Sequence, residues 1–279
     1  MKKFPDKFKI LIFILAGLVV FQAVSISVLW VKNVRLKKAL AVKPARVALH
    51  RKILLPSARI TGKVAIVLDD WGYNKKNVSA LFSLGQPVTI AVLPNLPYSK
   101  TIALDAGKNN IEVILHLPLE AHDSKKRPEK DTIYTNMNEN QALDRLQSAL
   151  DSVPGLKGIS NHQGSKATED EKLMKLLLAQ FKKRNLYFLD SLVTNNSVCQ
   201  SLAAGIGIKY AERSVFLDNE NDIEYIKGQL RELIETAKQG KSAVGIGHDR
   251  LLTLKAIKEM FPEFRREGVR LVYLSEVVR

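Results

Sequence analysis

The chain has 279 residues, 46% of them hydrophobic, and a formal net charge of +15, enough for one large domain plus something small. The charge is uneven: residues 1–63 hold 14 Lys and Arg against one acid, whereas 64–279 hold 29 against 27. The body has no basic patch with interleaved aromatics, which sets nucleic-acid binding aside, and a single cysteine, Cys199, excludes an intramolecular disulfide or a cysteine-based zinc site.

Residues 1–9 form a short basic segment. Residues 10–31 carry no charge, with Gln22 their most polar member, and 22 such residues are enough to cross a bilayer as a helix. Trp30 sits where an interfacial aromatic belongs. The run exceeds the apolar region of a cleaved signal peptide, so it predicts an uncleaved transmembrane anchor, with cleavage near Ala23 to Ser27 as the alternative. Both flanks are basic, so the positive-inside comparison is nearly balanced. An anchor places the body in the periplasm or outside the cell, held at the inner membrane. Residues 32–63, basic and carrying Pro44 and Pro56, read as a linker that could lie on anionic headgroups.

From 64 onward short apolar runs alternate with longer amphipathic ones. Strands are expected at 64–68, 88–93, 111–116, 158–160, 186–189, 208–211, 243–246 and 269–274. Helices are expected at 74–84, 99–109, 139–152, 169–183, 196–204, 222–239 and 251–260, and a polar loop at 117–136. Repeated strand–helix units imply a parallel sheet. Their number over 64–279 favours a (β/α) barrel of about seven units, with a doubly wound open sheet as the runner-up. Gly205-Ile-Gly207 and Gly245-Ile-Gly247 lack the rest of a dinucleotide fingerprint.

Polar residues cluster where these strands end. The first run, Val64 to Leu68, is followed by Asp69 and Asp70. Neighbouring strand residues point to opposite sides, and adjacent carboxylates repel each other unless a positive group lies beside them. The strand must therefore open out there, and the pair asks for a cation. The third strand ends in His116, the fourth in Asn161-His162-Gln-Gly-Ser165, the fifth in Asp190, and the seventh in His248. One histidine at a strand end is usually a hydrogen-bonded structural residue, but three on one rim have no such reason to coincide. In a parallel barrel that rim is where sites are built. Imidazoles with a carboxylate and no thiolate suit a divalent metal, Zn²⁺ first. The remaining carboxylate and histidine would then serve as base and acid.

Leu68-Asp-Asp-Trp-Gly72 resembles the first motif of NodB-type polysaccharide deacetylases, carbohydrate esterase family 4. His116-Leu-Pro-Leu-Glu120, Asn161-His-Gln-Gly-Ser165 and Gly245-Ile-Gly-His248 resemble the divergent branch of that family, and the likeness covers about 63–279. The resemblance implies a NodB-like barrel and metal-dependent deacetylation of acetylated glycans of the cell envelope, peptidoglycan being the natural candidate. It implies Asp69 as base, Asp70 and His116 as metal ligands and His248 as acid. Glu120 stands where the family's second metal histidine would be, and the family's arginine motif has no clear counterpart. His162 is then the substitute third ligand, with Glu120 either a ligand or a residue orienting one. Asp190 is expected either to orient His248 or the metal shell, or to cap the next helix. Asn161 and Ser165 read as turn residues or substrate contacts, and Trp71 as a rim packing residue or a sugar-stacking one. The departures leave a second reading open: a non-catalytic module on the same fold that binds cell-wall glycan or a partner.

Overall fold

Strand β1, Gly62–Trp71, is the spine of the sheet. The computed structural model describes residues 22, 24–35, 60–123 and 127–279. It divides into two units, Met1–Pro56 and Ser57–Arg279. In the first, residues 24–35 are helical. Among the described residues no helix is long and apolar enough to cross a membrane. The predicted anchor over 10–31 and linker over 32–63 lie mostly outside those residues.

The second unit runs β1, α1 (Val78–Phe82), β2 (Thr89–Val92), α2 (Ser99–Lys108), β3 (Glu112–Leu119), α3 (Glu139–Ser152), β4 (Gly158–Gln163), α4 (Glu171–Lys183) and β5 (Tyr187–Asp190). It continues with α5 (Cys199–Ile206), β6 (Tyr210–Glu212), β7 (Val215–Phe216), α6 (Ile223–Gly240), β8 (Ser242–His248), α7 (Leu251–Arg266) and β9 (Val269–Val272). All strand pairs are parallel. The order is β6-β5-β4-β3-β2-β1-β8-β7, with β9 also on β1. Along one edge β1 pairs with β8, from Lys63 opposite Ser242 to Asp69 opposite His248. Its other edge is shared: Gly62 to Ala65 pair with β9, and from Val67 onward the partner is β2.

The end strands β6 and β7 are neighbours in sequence but not in the ladder. The expected barrel of about seven units is therefore a nine-stranded curled half-barrel, without a hydrogen-bonded seam between its ends. The edge of β6 is covered by backbone bonds exchanged between Tyr210 and Arg279. A two-residue β7 carries too little apolar periodicity to be visible in the sequence.

Both faces of the sheet are buried, which is why its strands read as unbroken apolar runs. Val64, Ile66 and Leu68 face the helical layer, whereas Ala65 and Val67 face inward with Ile114, Leu189, Val244 and Ile246. The long helix α6 shows how the outer layer is held. Its Asp222 cap accepts from Tyr225 N at 2.8 Å, and Ile226, Leu230, Leu233 and Ile234 form one buried stripe. Each contributes at most about 1.5–3 kcal/mol. Gly245 lets that helix approach, since a Cβ there would lie 2.6 Å from Leu233 Cδ2.

Candidate functional site

The inward face of the sheet has a period of two, and the site continues it. Ala65 and Val67 lead to Asp69, Ile114 to His116, and Val244 and Ile246 to His248. On β4 the inward positions are Ser160 and His162, opposite His116 and Pro118 of β3. Strands β1, β3 and β4 run two to three residues past their apolar runs. That extension carries Asp69 and Asp70, His116 and His162 within the ladder rather than in loops.

Asp70 breaks the alternation. Its φ is +66°, in the left-handed region, and the β1–β2 register shifts between Leu68 and Trp71. This added residue returns Trp71 to the helix-facing core and brings both carboxylates toward one point. His116 Nε2 lies 3.5 Å from Asp69 Oδ2 and 3.4 Å from Asp70 Oδ1, and His162 Nδ1 lies 3.1 Å from that same oxygen. The strand does not splay to separate the two aspartates. It bulges and keeps them together.

Asp70, His116 and His162 offer ligand atoms that all lie within 4.8 Å of one another. Asp70 Oδ1 is buried without a hydrogen-bond partner, although two imidazoles stand beside it. These atoms converge on a common point instead of bonding each other, which fits a divalent metal bound by two nitrogens and an oxygen. His116 Nδ1 shares a 2.8 Å hydrogen bond with Ser160 Oγ. With Nδ1–H as donor, Nε2 keeps its lone pair for a metal. Asp69 and His116 are buried, while Asp70, His162 and His248 are partly exposed, so the cluster opens to solvent on one side.

Burial pushes the Asp69 carboxyl above its usual range, against the pull of His116. Burial also opposes ionisation of Asp70, but the neighbouring imidazoles of His116 and His162 outweigh it and hold that carboxyl far below the usual range. The two carboxyls are thus shifted in opposite directions, Asp69 upward and Asp70 downward.

His248 is held by a residue that sequence reasoning missed. Asp218, fully buried, accepts from His248 Nδ1 at 2.8 Å, His248 N at 2.9 Å and Thr253 Oγ1 at 2.7 Å. Burial disfavours both charges, yet the Asp218 carboxylate raises the His248 pKa and is itself held low by His248. The imidazole thereby turns Nε2 toward Asp70, 4.0 Å from Oδ2. Gly247 makes room for this arrangement, because a Cβ there would lie 3.0 Å from Thr253 Cγ2 and 3.5 Å from Asp218 Oδ2. The Gly-Ile-Gly-His run carried that signal: a small residue before the histidine marks a close approach.

Other expected site residues are placed elsewhere. Asp190 accepts from Leu192 N at 2.8 Å and Ser197 Oγ at 2.6 Å, so it closes its own turn and does not orient His248. Glu120 accepts from Thr135 N and Oγ1 and from Lys166 Nζ, at 2.7–2.8 Å, and lies outside the ligand cluster. Asn161 is fully buried and ties β4 to Ser191 by accepting from Ser191 N, while its amide nitrogen donates to Gln163 O. Ser165 Oγ accepts from His122 N at 3.0 Å. Trp71 is fully buried and cannot stack on a sugar. The left-handed turn at Asp70 is the reason.

A family model described as divergent polysaccharide deacetylase matches residues 66–278. The chain belongs to that family. Among curated relatives of this deacetylase-family chain, the uncharacterized protein YibQ of Escherichia coli is 34% identical over 75% of this chain. The aligned region spans 65% of that relative's length. An uncharacterized protein of Agrobacterium tumefaciens has a crystal structure with TM-score 0.75 and 23% identity, covering 79% of this chain and 90% of that one. The catalytic domain of a peptidoglycan N-acetylglucosamine deacetylase from Eubacterium rectale shares the fold at TM-score 0.50 and 14% identity, with 76% and 88% covered. The half-barrel is therefore the fold of a polysaccharide deacetylase domain.

Proposed function

We propose that the protein is a metal-dependent hydrolase that removes acetyl groups from an envelope glycan, peptidoglycan being the leading candidate. One observation carries this reading. Asp70, His116 and His162 converge on one point, with Asp69 beside them and His248 facing them from β8. A divalent metal held there, Zn²⁺ first, supplies Lewis-acid activation of water and of an acyl oxygen.

The chain's own residues supply proton transfers and positioning. Asp69, inward and buried, has an oxygen without a hydrogen-bond partner, Oδ1, with which to take a proton from the attacking water. His248 Nε2 is directed into the site by Asp218 and donates a proton to the departing amine or alcohol. Ser160 keeps the His116 ring in place, and the buried inward layer beneath excludes water from below. The relation to glycan deacetylases by family and fold supports the substrate class. The apolar run at 10–31 supports an envelope location, with the body outside the cytoplasm.

The test is a single-turnover assay of the metal-loaded full chain on N- and O-acetylated glycan fragments, with metal stoichiometry measured on the same sample. Release of acetate by loaded protein is the expected result. A full metal complement without acetate release from any fragment would overturn the catalytic reading and leave a glycan- or partner-binding module.

A further inference from the structure

The candidate site lies where the strands end. The opposite end of the sheet, where the strands begin, has a different chemistry. A cleft of about 470 Å³ there is lined by Lys63, Lys241 and Arg279. A second, about 380 Å³, lies among Lys157, Lys182 and Lys209 and has no carboxylate in its lining. A third, about 420 Å³, shares Ser242, Val277 and Arg279 with the first and Ile208 with the second. The three are one continuous surface.

Among the described residues two acids line it, and a third, Glu112, accepts from Tyr187 Oη and Ser275 N beside the second cleft. Glu276 is drawn toward Arg270 at 3.6 Å, and Glu212 accepts from Tyr210 Oη at 3.4 Å. Among the described residues, none of the six cations has an ion pair with an acidic side chain. Cations at helix C-termini commonly offset the helix dipole, and Lys182 does so by donating to Ile206 O at the end of α5. Lys63, Lys157 and Lys209 have no such task. They stand at or just before the starts of β1, β4 and β6. An excess of unpaired cations around clefts calls for an anionic surface.

The choice of surface follows from the rest of the chain. Ile60, near the start of this unit, lines the first cleft and is 58% exposed. Before Ile60 lie 59 residues with one acid, Asp6, and the uncharged run 10–31. In the described helix over 24–35, Ile26, Leu29 and Trp30 are each about two-thirds exposed, with Lys32 and Arg35 following. Exposed apolar residues beside cations select a lipid surface over other polyanions. We infer that the strand-start end of the half-barrel, with its six cations, rests on anionic phospholipid headgroups, so that the Asp70 rim is turned away from the membrane. The inference does not depend on catalysis at that rim.

The test uses the full chain with vesicles of phosphatidylglycerol and phosphatidylcholine, or of phosphatidylcholine alone, carrying a headgroup-attached quencher. Cys199 is fully buried and its thiol is pushed up to about 12 by burial, so it stays unlabelled. A fluorophore is placed at Ser275→Cys beside the second cleft, or at Val193→Cys in the loop after β5 at the other end. In anionic vesicles near 0.1 M salt, the Ser275→Cys probe is expected to be quenched about threefold more than the Val193→Cys probe. Neutral lipid, about 1 M salt or the triple change Lys157→Glu, Lys182→Glu and Lys209→Glu should remove that difference. Equal quenching of the two probes overturns the inference. So does a difference that survives the triple charge reversal, or salt-sensitive binding of duplex DNA without headgroup quenching.

Discussion

Asp190 ends β5 and Asp218 follows β7, and both carboxylates are fully buried. Asp190 spends its short hydrogen bonds on Leu192 and Ser197, two and seven residues further along the chain, with Tyr210 Oη more distant at 3.5 Å. Asp218 spends its own on His248 and Thr253, thirty and thirty-five residues away. The first closes a turn, and the second holds together two strands' worth of site. A buried carboxylate satisfied by its own loop reports local folding. One satisfied across the sheet reports a constellation that the fold was built to position. Glu120 and Asp70 make the same contrast. Glu120 is saturated by Thr135 and Lys166, whereas Asp70 keeps a buried oxygen without a partner between two imidazoles.

The largest expected effect breaks the site half of this comparison. Asp70→Asn or His162→Ala removes a proposed ligand, so metal content and acetate release should be lost together. If His162→Ala keeps a full metal complement by elemental analysis, His162 is not a ligand. Next comes Asp69→Asn. It should keep its metal and lower the single-turnover rate by about two to four orders of magnitude, as expected for a lost general base.

Asp218→Asn and Asp190→Asn set the two carboxylates side by side. Loss of Asp218 should slow turnover about ten- to a hundredfold and shift the alkaline limb of the pH–rate profile downward, because His248 loses the charge that raises its pKa. Asp190→Asn should destabilise the fold by about 1–3 kcal/mol in denaturant unfolding and leave the pH–rate profile unmoved. A shifted profile in the Asp190 variant would erase the distinction.

The smallest effect belongs to Glu120. Partial burial opposes its ionisation, but Lys166 and Thr135 hold its pKa below the usual carboxylate range. A depressed folded pKa contributes stability that is full above the unfolded value of about 4.3 and is lost as pH falls through the folded value. Lys166 is half exposed, so solvent screens the pair. Glu120→Gln should cost about 1 kcal/mol or less at pH 7. The gap from the unchanged protein should close below about pH 4 in thermal unfolding series. Metal content should not change. A fall in metal affinity would return Glu120 to the site.

Much of this was legible in the residues. The apolar runs at 64–68 and 243–246 lie inside strands β1 and β8, and the run at 111–116 overlaps β3 from Glu112 on, because a sheet buried on both faces demands continuous Val, Ile and Leu. The polar residues ending those runs were visible as one rim, and Asp69, Asp70, His116, His162 and His248 are brought together there. Asp218 was not visible. It follows a two-residue strand in an acid-rich stretch that also supplies the cap of α6, and nothing local sets it apart from Asp222.

Order, period and chemistry are properties of the chain, so the sequence by itself determined a parallel α/β body, the family, and a rim of imidazoles and carboxylates. Three matters were decided only in three dimensions. The left-handed conformation of Asp70 turned an adjacent pair, which alternation would separate, into two carboxylates facing one histidine. Burial removed Trp71 from the rim, and hydrogen bonding removed Asp190 and Glu120 from the site. The curl of the sheet stopped before β6 met β7. Each depends on which distant groups arrive beside a residue, and contacts across the sheet have no period along the chain from which to read them.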